Sequence, residues 1–261
     1  MKIVKKIMFI GTVLVIGIMV CSCGMKKNNS DESKDITLKS KPEIVLNERQ
    51  KEILEEVGLP TEAEKLDSSQ QEAIIAIDEM LTEIEKKYNT SFSYAGYIAP
   101  GPLEHEQLIA YPTEGSSRDT FTVTRVKENG KYVYEDEYAN VLAEHVYTSY
   151  ILKYCQTQVG EENVKIYSII TRIKEKKTQF QEKDIANNIS GESCVFVDGG
   201  RVTEEDYNEF LLNYKQWIKE QGINDDTEFI LLKEGLIDEV NGYSYTDYLS
   251  AECYLRGDFE N

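Results

Sequence analysis

The 261-residue chain carries 47 acidic against 29 basic side chains, a formal charge of −18. A fold with that excess repels polyanions, so nucleic acid is not an expected partner. With only two histidines and no C-x-x-C, H-x-x-x-H or H-E-x-x-H spacing, zinc chemistry has no pattern to rest on, and no metal or cofactor is expected.

The first six residues hold Lys2, Lys5 and Lys6 and no acid, and Ile7 to Val20 is an apolar run broken by Gly11, Thr12 and Gly17. This is the charge-then-apolar order of a secretory signal. Its apolar part falls short of the roughly 20 residues that span a bilayer as a helix, so cleavage is expected. A small residue must precede the cut, and of the two nearby cysteines only Cys23, behind Ser22, has one. Val20-Cys21-Ser22-Cys23 resembles the lipobox of bacterial lipoproteins. The resemblance covers residues 1–23 and implies that Cys23 becomes a lipidated N-terminus, holding the chain to the extracytoplasmic face of the cell membrane. Two acyl chains anchor stably where one does not.

Residues 23–41 behave as a linker. "GMKKNNSDESKDITLKSK" has too few apolar side chains to offset the entropy of ordering, and such a chain reaches roughly 20 to 25 Å. Removing the signal takes away three lysines and no acid, so 26 basic residues face 47 acidic ones and the mature chain carries −21. Residues 42–261 are long enough for one large core, with sub-lobes divided near Gly160 as an alternative.

Four segments have helical periodicity. "NERQKEILEEVG" offers Asn47 as a cap and Gly58 as a stop. "SSQQEAIIAIDEMLTEIEKKY" places Ser69 and Glu72 in a capping-box pattern ahead of Ile74, Ile77, Leu81, Ile84 and Tyr88. In "EYANVLAEHVYTSYILKYCQTQVG" the expected stripe is Val141, Leu142, His145, Leu152, Cys155 and Val159. "TEEDYNEFLLNYKQWIKEQG" has Thr203 as cap, Gly222 as stop, and a face of Tyr207, Phe210, Leu211, Tyr214, Trp217 and Ile218.

Strands are expected at 92–99, 107–112, 164–172, 193–198 and 228–233, which are rich in β-branched and aromatic residues. In "DTFTVTRVKENGKYVYEDE", Asn129-Gly130 favours a two-residue turn that sets Glu128 opposite Lys131, Val126 opposite Val133 and Arg125 opposite Tyr134. The tail "GYSYTDYLSAECYLRG" fits a helix or an edge strand equally. Strict strand–helix alternation is missing, so the expected fold is α+β, a mainly antiparallel sheet with three to four amphipathic helices chiefly on one face.

No motif carries reaction chemistry. Cys155, Cys194 and Cys253 are an odd number, leaving one disulfide and a spare thiol open. Cys155 sits on an apolar stripe, and His145, ten residues earlier on the same helix, is about 15 Å away, too far for a dyad. His145 reads as a core-edge side chain and Glu104-His105-Glu106 as a solvated loop with a recognition alternative. "INDDTE" lacks a calcium-loop spacing and "DGGR" reads as a turn. The unusual feature is 17 tyrosines against eight phenylalanines and one tryptophan. A tyrosine buries its ring while its hydroxyl stays wet, which suits recognition surfaces as well as core margins.

The candidate ligand-binding residues are therefore Tyr94, Tyr97, Tyr132, Tyr134, Tyr243, Tyr245, Tyr248 and His105. No catalytic or metal-binding residue is assigned. The leading expectation is a non-enzymatic, membrane-anchored domain that binds a protein or a glycan. The alternatives are an extracytoplasmic hydrolase using dispersed carboxylates or Cys194, and a structural accessory of an envelope assembly.

Overall fold

A computed structural model describes residues 44–102, 104–250 and 252–258, so Cys23 and the linker lie outside it. Among those residues the fold is α+β, with two four-stranded sheets and four α-helices. The expectation of one sheet gives way to two, each with its own helices and its own core.

The first half begins with α1 (Glu48–Glu56), where Asn47 and Gln50 satisfy each other's backbone N–H in a capping box. Arg49 ties α1 to α2 (Ser68–Tyr88), donating to Asp78 Oδ1 and Glu85 Oε2, both at 2.6 Å. The cap of α2 is Asp67 paired with Gln70, not Ser69 with Glu72. The same four-residue pattern occurs two positions earlier, where a carboxylate accepts the N3 amide. Ile74, Ile77, Met80, Leu81 and Ile84 of α2 are buried. They cover a meander of β1 (Phe92–Ile98), β2 (Glu106–Pro112), β3 (Phe121–Glu128) and β4 (Lys131–Asp136), paired antiparallel in chain order. The β3–β4 hairpin has the expected register, with Asn129 at φ 50° and Gly130 at φ 82°. Where β4 ends, the buried Asp136 carboxylate accepts Tyr88 OH at 2.7 Å, Lys87 Nζ at 2.6 Å and Tyr138 N at 3.2 Å.

From there α3 (Tyr138–Val159) serves both cores. Tyr138 joins the first, edge-on to Phe92, while Ala143, Tyr147, Ile151 and Cys155 enter the second. The expected stripe is thus rotated. Leu142 is half-buried against both cores, and His145 is exposed, not a core-edge side chain.

The second sheet has the order β5 (Val164–Ile173), β6 (Ile189–Asp198), β7 (Asn224–Leu232), β8 (Tyr254–Asp258). Its β6–β7 pair is parallel, because α4 (Glu204–Gln221) returns the chain as a crossover, while β5–β6 and β7–β8 are antiparallel. Thr203 caps α4, and Gly222 ends it at φ 65°. Tyr207, Phe210, Leu211 and Tyr214 of α4 pack with α3 on one face of this sheet. On the other face Phe196, Ile230 and Leu232 lie under Ile237, Val240 and the half-buried Tyr245. The ambiguous tail is both things in turn, a 3-10 turn at Tyr245–Leu249 and then the edge strand β8.

Candidate functional site

Three segments distant in sequence meet beside β5. The β2–β3 loop brings Arg118 and Asp119, the outer side of α3 brings Glu144 and His145, and the turn after Val240 brings Tyr243 and Tyr245. The Arg118 guanidinium comes so close to Gly242 that any Cβ there would collide with it. The same guanidinium stands 4.9 Å from the centre of the Tyr243 ring, which is 75% exposed. His145 Nε2 is 3.1 Å from Asp119 Oδ2. Tyr245 stacks on Tyr167 of β5, with ring centres 4.8 Å apart and planes 11° from parallel. The carbonyl of Val240 accepts from Lys165 Nζ at 2.7 Å and from Tyr167 OH at 3.3 Å, which holds this turn against β5.

The electrostatics of the cluster centre on Glu144. Burial and the neighbouring Asp119 carboxylate push it up to about 7, with Arg118 pulling the other way. Burial, Cys194 and Glu144 also raise Tyr245. Two carboxyl groups, a guanidinium and an exposed phenol ring together offer donors, acceptors and a stacking face.

The tyrosines singled out by sequence divide into two groups. Tyr94, Tyr97 and Tyr134 are half-buried against the first core, and Tyr97 OH donates to Glu106 Oε1 at 2.5 Å. Tyr132 is exposed beneath Arg125, 4.1 Å from its ring centre, and Arg125 Nε donates to Glu106 Oε2 at 2.5 Å. These four form the margin between α2 and the first sheet. Tyr243 and Tyr245 belong to the junction, and Tyr248 donates to Glu239 Oε2 at 3.1 Å beside it. His105 is exposed in the β1–β2 loop. Arg118, Asp119, Glu144 and Tyr167 were not found by sequence reasoning, since no spacing links them.

Other motifs resolve as structure. In "DGGR" the Gly200 amide donates to Asp198 Oδ1 at 2.9 Å, so the turn consumes it. In "INDDTE", Asp225 accepts from Tyr147 OH at 2.5 Å, Tyr214 OH at 2.7 Å and Ser193 Oγ at 3.1 Å, a polar knot under α3 and α4. Cys194 Sγ faces Glu228 Oε2 at 3.8 Å, and burial with that carboxylate pushes its thiol up to about 12. No group of three or more His, Cys, Asp or Glu among the described residues is placed to hold a metal ion. Two shallow hollows of about 270 and 250 Å³ lie elsewhere, one at Tyr150, Lys183 and Gln221, the other at Arg201, Asp206 and Asn213.

No family model and no curated protein matches the chain. It is similar to the crystal structure of a DUF5037 family protein from Ruminococcus gnavus, with a TM-score of 0.40 and 14% identity over 63% of this chain and 78% of that one.

Proposed function

We propose that the chain is a lipid-anchored extracytoplasmic protein whose folded domain binds a partner at the Arg118–Tyr243 junction and performs no reaction of its own. The lipobox-like signal ending at Cys23 supports the tether. The observation that carries the binding reading is Tyr243, a ring 75% exposed yet held in place by a guanidinium at 4.9 Å. A fixed, wet aromatic face flanked by Asp119, Glu144 and Arg118 suits a polyhydroxylated ligand, whose sugar face stacks while its hydroxyls pair with the charged rim. A glycan is therefore favoured over a protein partner.

The full chain, solubilised in mild detergent, is expected to retain members of a glycan array. Tyr243→Ala and Arg118→Ala should each weaken that binding at least about tenfold, which corresponds to 1.4 kcal/mol. An array with no binder, or binding indifferent to both substitutions, removes the reading. Intact-mass analysis of native material tests the tether separately, through diacylglycerol on Cys23.

One observation favours the hydrolase alternative. Asp119 acts on Glu144, whose carboxyl burial and that neighbour push up to about 7, a range in which a carboxyl can serve as a general acid. Against it, the described hollows lie away from these carboxyls. The thiol of Cys194 is raised by burial and then by its carboxylate neighbours, the opposite of what a nucleophile needs. Turnover that Glu144→Gln abolishes while binding persists would establish the alternative.

A further inference from the structure

The chain has one tryptophan, Trp217, half-buried on α4 among tyrosines of α3. Its ring stacks on Tyr154, with centres 4.0 Å apart and planes 6° from parallel, and Tyr150 lies 5.4 Å away at 32°. Tyr150 is held at its hydroxyl as well, which donates to Gln221 Oε1 at 2.9 Å. A ring fixed by two neighbours has little side-chain freedom left to lose when something binds against it.

Tyr150 and Gln221 line the larger of the two hollows, about 270 Å³ in volume. The buried Ile185 and Ile223 add apolar surface to it, and the 3-10 turn Glu182–Asp184 brings Glu182 and Lys183. Gln181 N donates to Asp184 Oδ2 at 2.9 Å and Lys177 Nζ to Asp184 Oδ1 at 2.8 Å, which fixes this turn and occupies its second acid. Lys183 is exposed and makes no hydrogen bond or ion pair among the described residues. Glu182 Oε1 has a loose pairing, 3.8 Å from Lys153 Nζ with both side chains mostly exposed, and such a pair contributes little in water. The hollow therefore joins a fixed aromatic ring and two aliphatic side chains to one ammonium, one carboxylate and the NH2 of an amide whose carbonyl is already used.

The geometry points to a binding site for a free α-amino acid with a large apolar side chain: Lys183 and the Gln221 NH2 take its carboxylate, Glu182 takes its ammonium, and Tyr150, Ile185 and Ile223 take its side chain. A zwitterion answers both charges of the turn, whereas a simple anion or cation answers one and meets the other as a like charge. Size selects the same class. At ~30 Å³ per water the hollow holds about nine waters, which is room for one small molecule and too little for a glycan chain. It shares no residue with the Arg118–Tyr243 junction, so the inference goes beyond the binding reading and does not rest on it.

Trp217 supplies the readout, because Tyr150 lies between it and the ligand in the chain of contacts and no other tryptophan emits. L-phenylalanine titrated into the full chain in mild detergent should change that emission saturably, with a Kd below about 1 mM. Titration calorimetry, which needs no movement of the ring, decides where the emission stays still. Phenethylamine, which lacks the carboxylate, and 3-phenylpropanoate, which lacks the ammonium, should each bind roughly fivefold more weakly, the scale of a partly exposed charge pair. Lys183→Met and Glu182→Gln should each weaken L-phenylalanine by a similar factor, and since both side chains are exposed, an unchanged urea midpoint verifies that the variants are folded. No saturable binding by either method, equal affinity for L-phenylalanine and both single-charge analogues, or affinity untouched by both substitutions overturns the assignment. These titrations contain no glycan and the array contains no amino acid, so each proposal fails or succeeds apart from the other.

Discussion

Asp225 is the side chain on which the second core is most dependent. Its two oxygens accept from Tyr147, Tyr214, Ser193 and Thr227, four hydroxyls gathered under α3 and α4, of which Ser193 also meets Ser168 and Tyr214 also meets Thr227. Burial first, and then this carboxylate, holds both phenols well above the usual tyrosine range. Asp225→Ala removes the acceptor of the desolvated Tyr147 hydroxyl and one partner from each of the others, which costs about 3 kcal/mol. The expected outcome in urea denaturation is a lower midpoint of that size at an unchanged slope, and Asp225→Asn, which keeps an acceptor, should lose less. Gly191 belongs to the same knot. A Cβ there would come within 2.7 Å of the Tyr147 ring, so Gly191→Ala should also destabilise by pushing the phenol off Asp225.

At the level of elements, the caps decide where helices start, and α2 provides a clean comparison. Asp67 accepts the Gln70 amide at 2.9 Å, whereas Ser69 lies inside the first turn. Asp67→Ala should therefore cost about 1 kcal/mol and Ser69→Ala close to nothing, measured by chemical denaturation of each variant. Equal losses would return the cap to Ser69. Helices that cover a single sheet were legible from periodicity, as the buried faces of α2 and α4 attest. The β3–β4 register was legible too, because Asn129-Gly130 supplies the two positive φ angles that a tight turn needs. The stripe of α3 was not, for a physical reason. It sends Tyr138 to one core and Tyr147 to the other, so its apolar residues wrap round the helix and no single period dominates. The junction was equally hidden. Arg118, Glu144 and Tyr243 belong to three segments that only the folded chain brings together.

For the molecule as a whole, two sheets rather than one set which side chains can ever meet, and the cysteines show the consequence. The order of strands and helices indicated α+β, but the parallel β6–β7 pair depends on which strands α4 bridges, and strand order alone does not carry that. With the pairing fixed, Cys155 lies in the core between α3 and the second sheet, while Cys194 points to the opposite face of β6 with Phe196. Cys194 stands opposite Glu228, and the carbonyl of Cys253 accepts from Lys233 N, five residues further along the chain. At about 3.3 Å per residue those positions are roughly 16 Å apart, against a limit of about 7 Å between the Cα atoms of a disulfide. All three are free in the fold, so the disulfide that an odd cysteine count left open has no geometry to form in. If the proposed cleavage and lipidation hold, so that Cys21 is lost and Cys23 is blocked, denaturing the chain without reductant and counting maleimide adducts should give three. In the native state Cys253, half-exposed, should react ahead of Cys194, whose thiol is pushed up to about 12, and buried Cys155 should be slowest because thiolate formation there is opposed by desolvation. A count of one would mean that two of these positions come together, and the separation of the two faces of the second sheet would then be wrong.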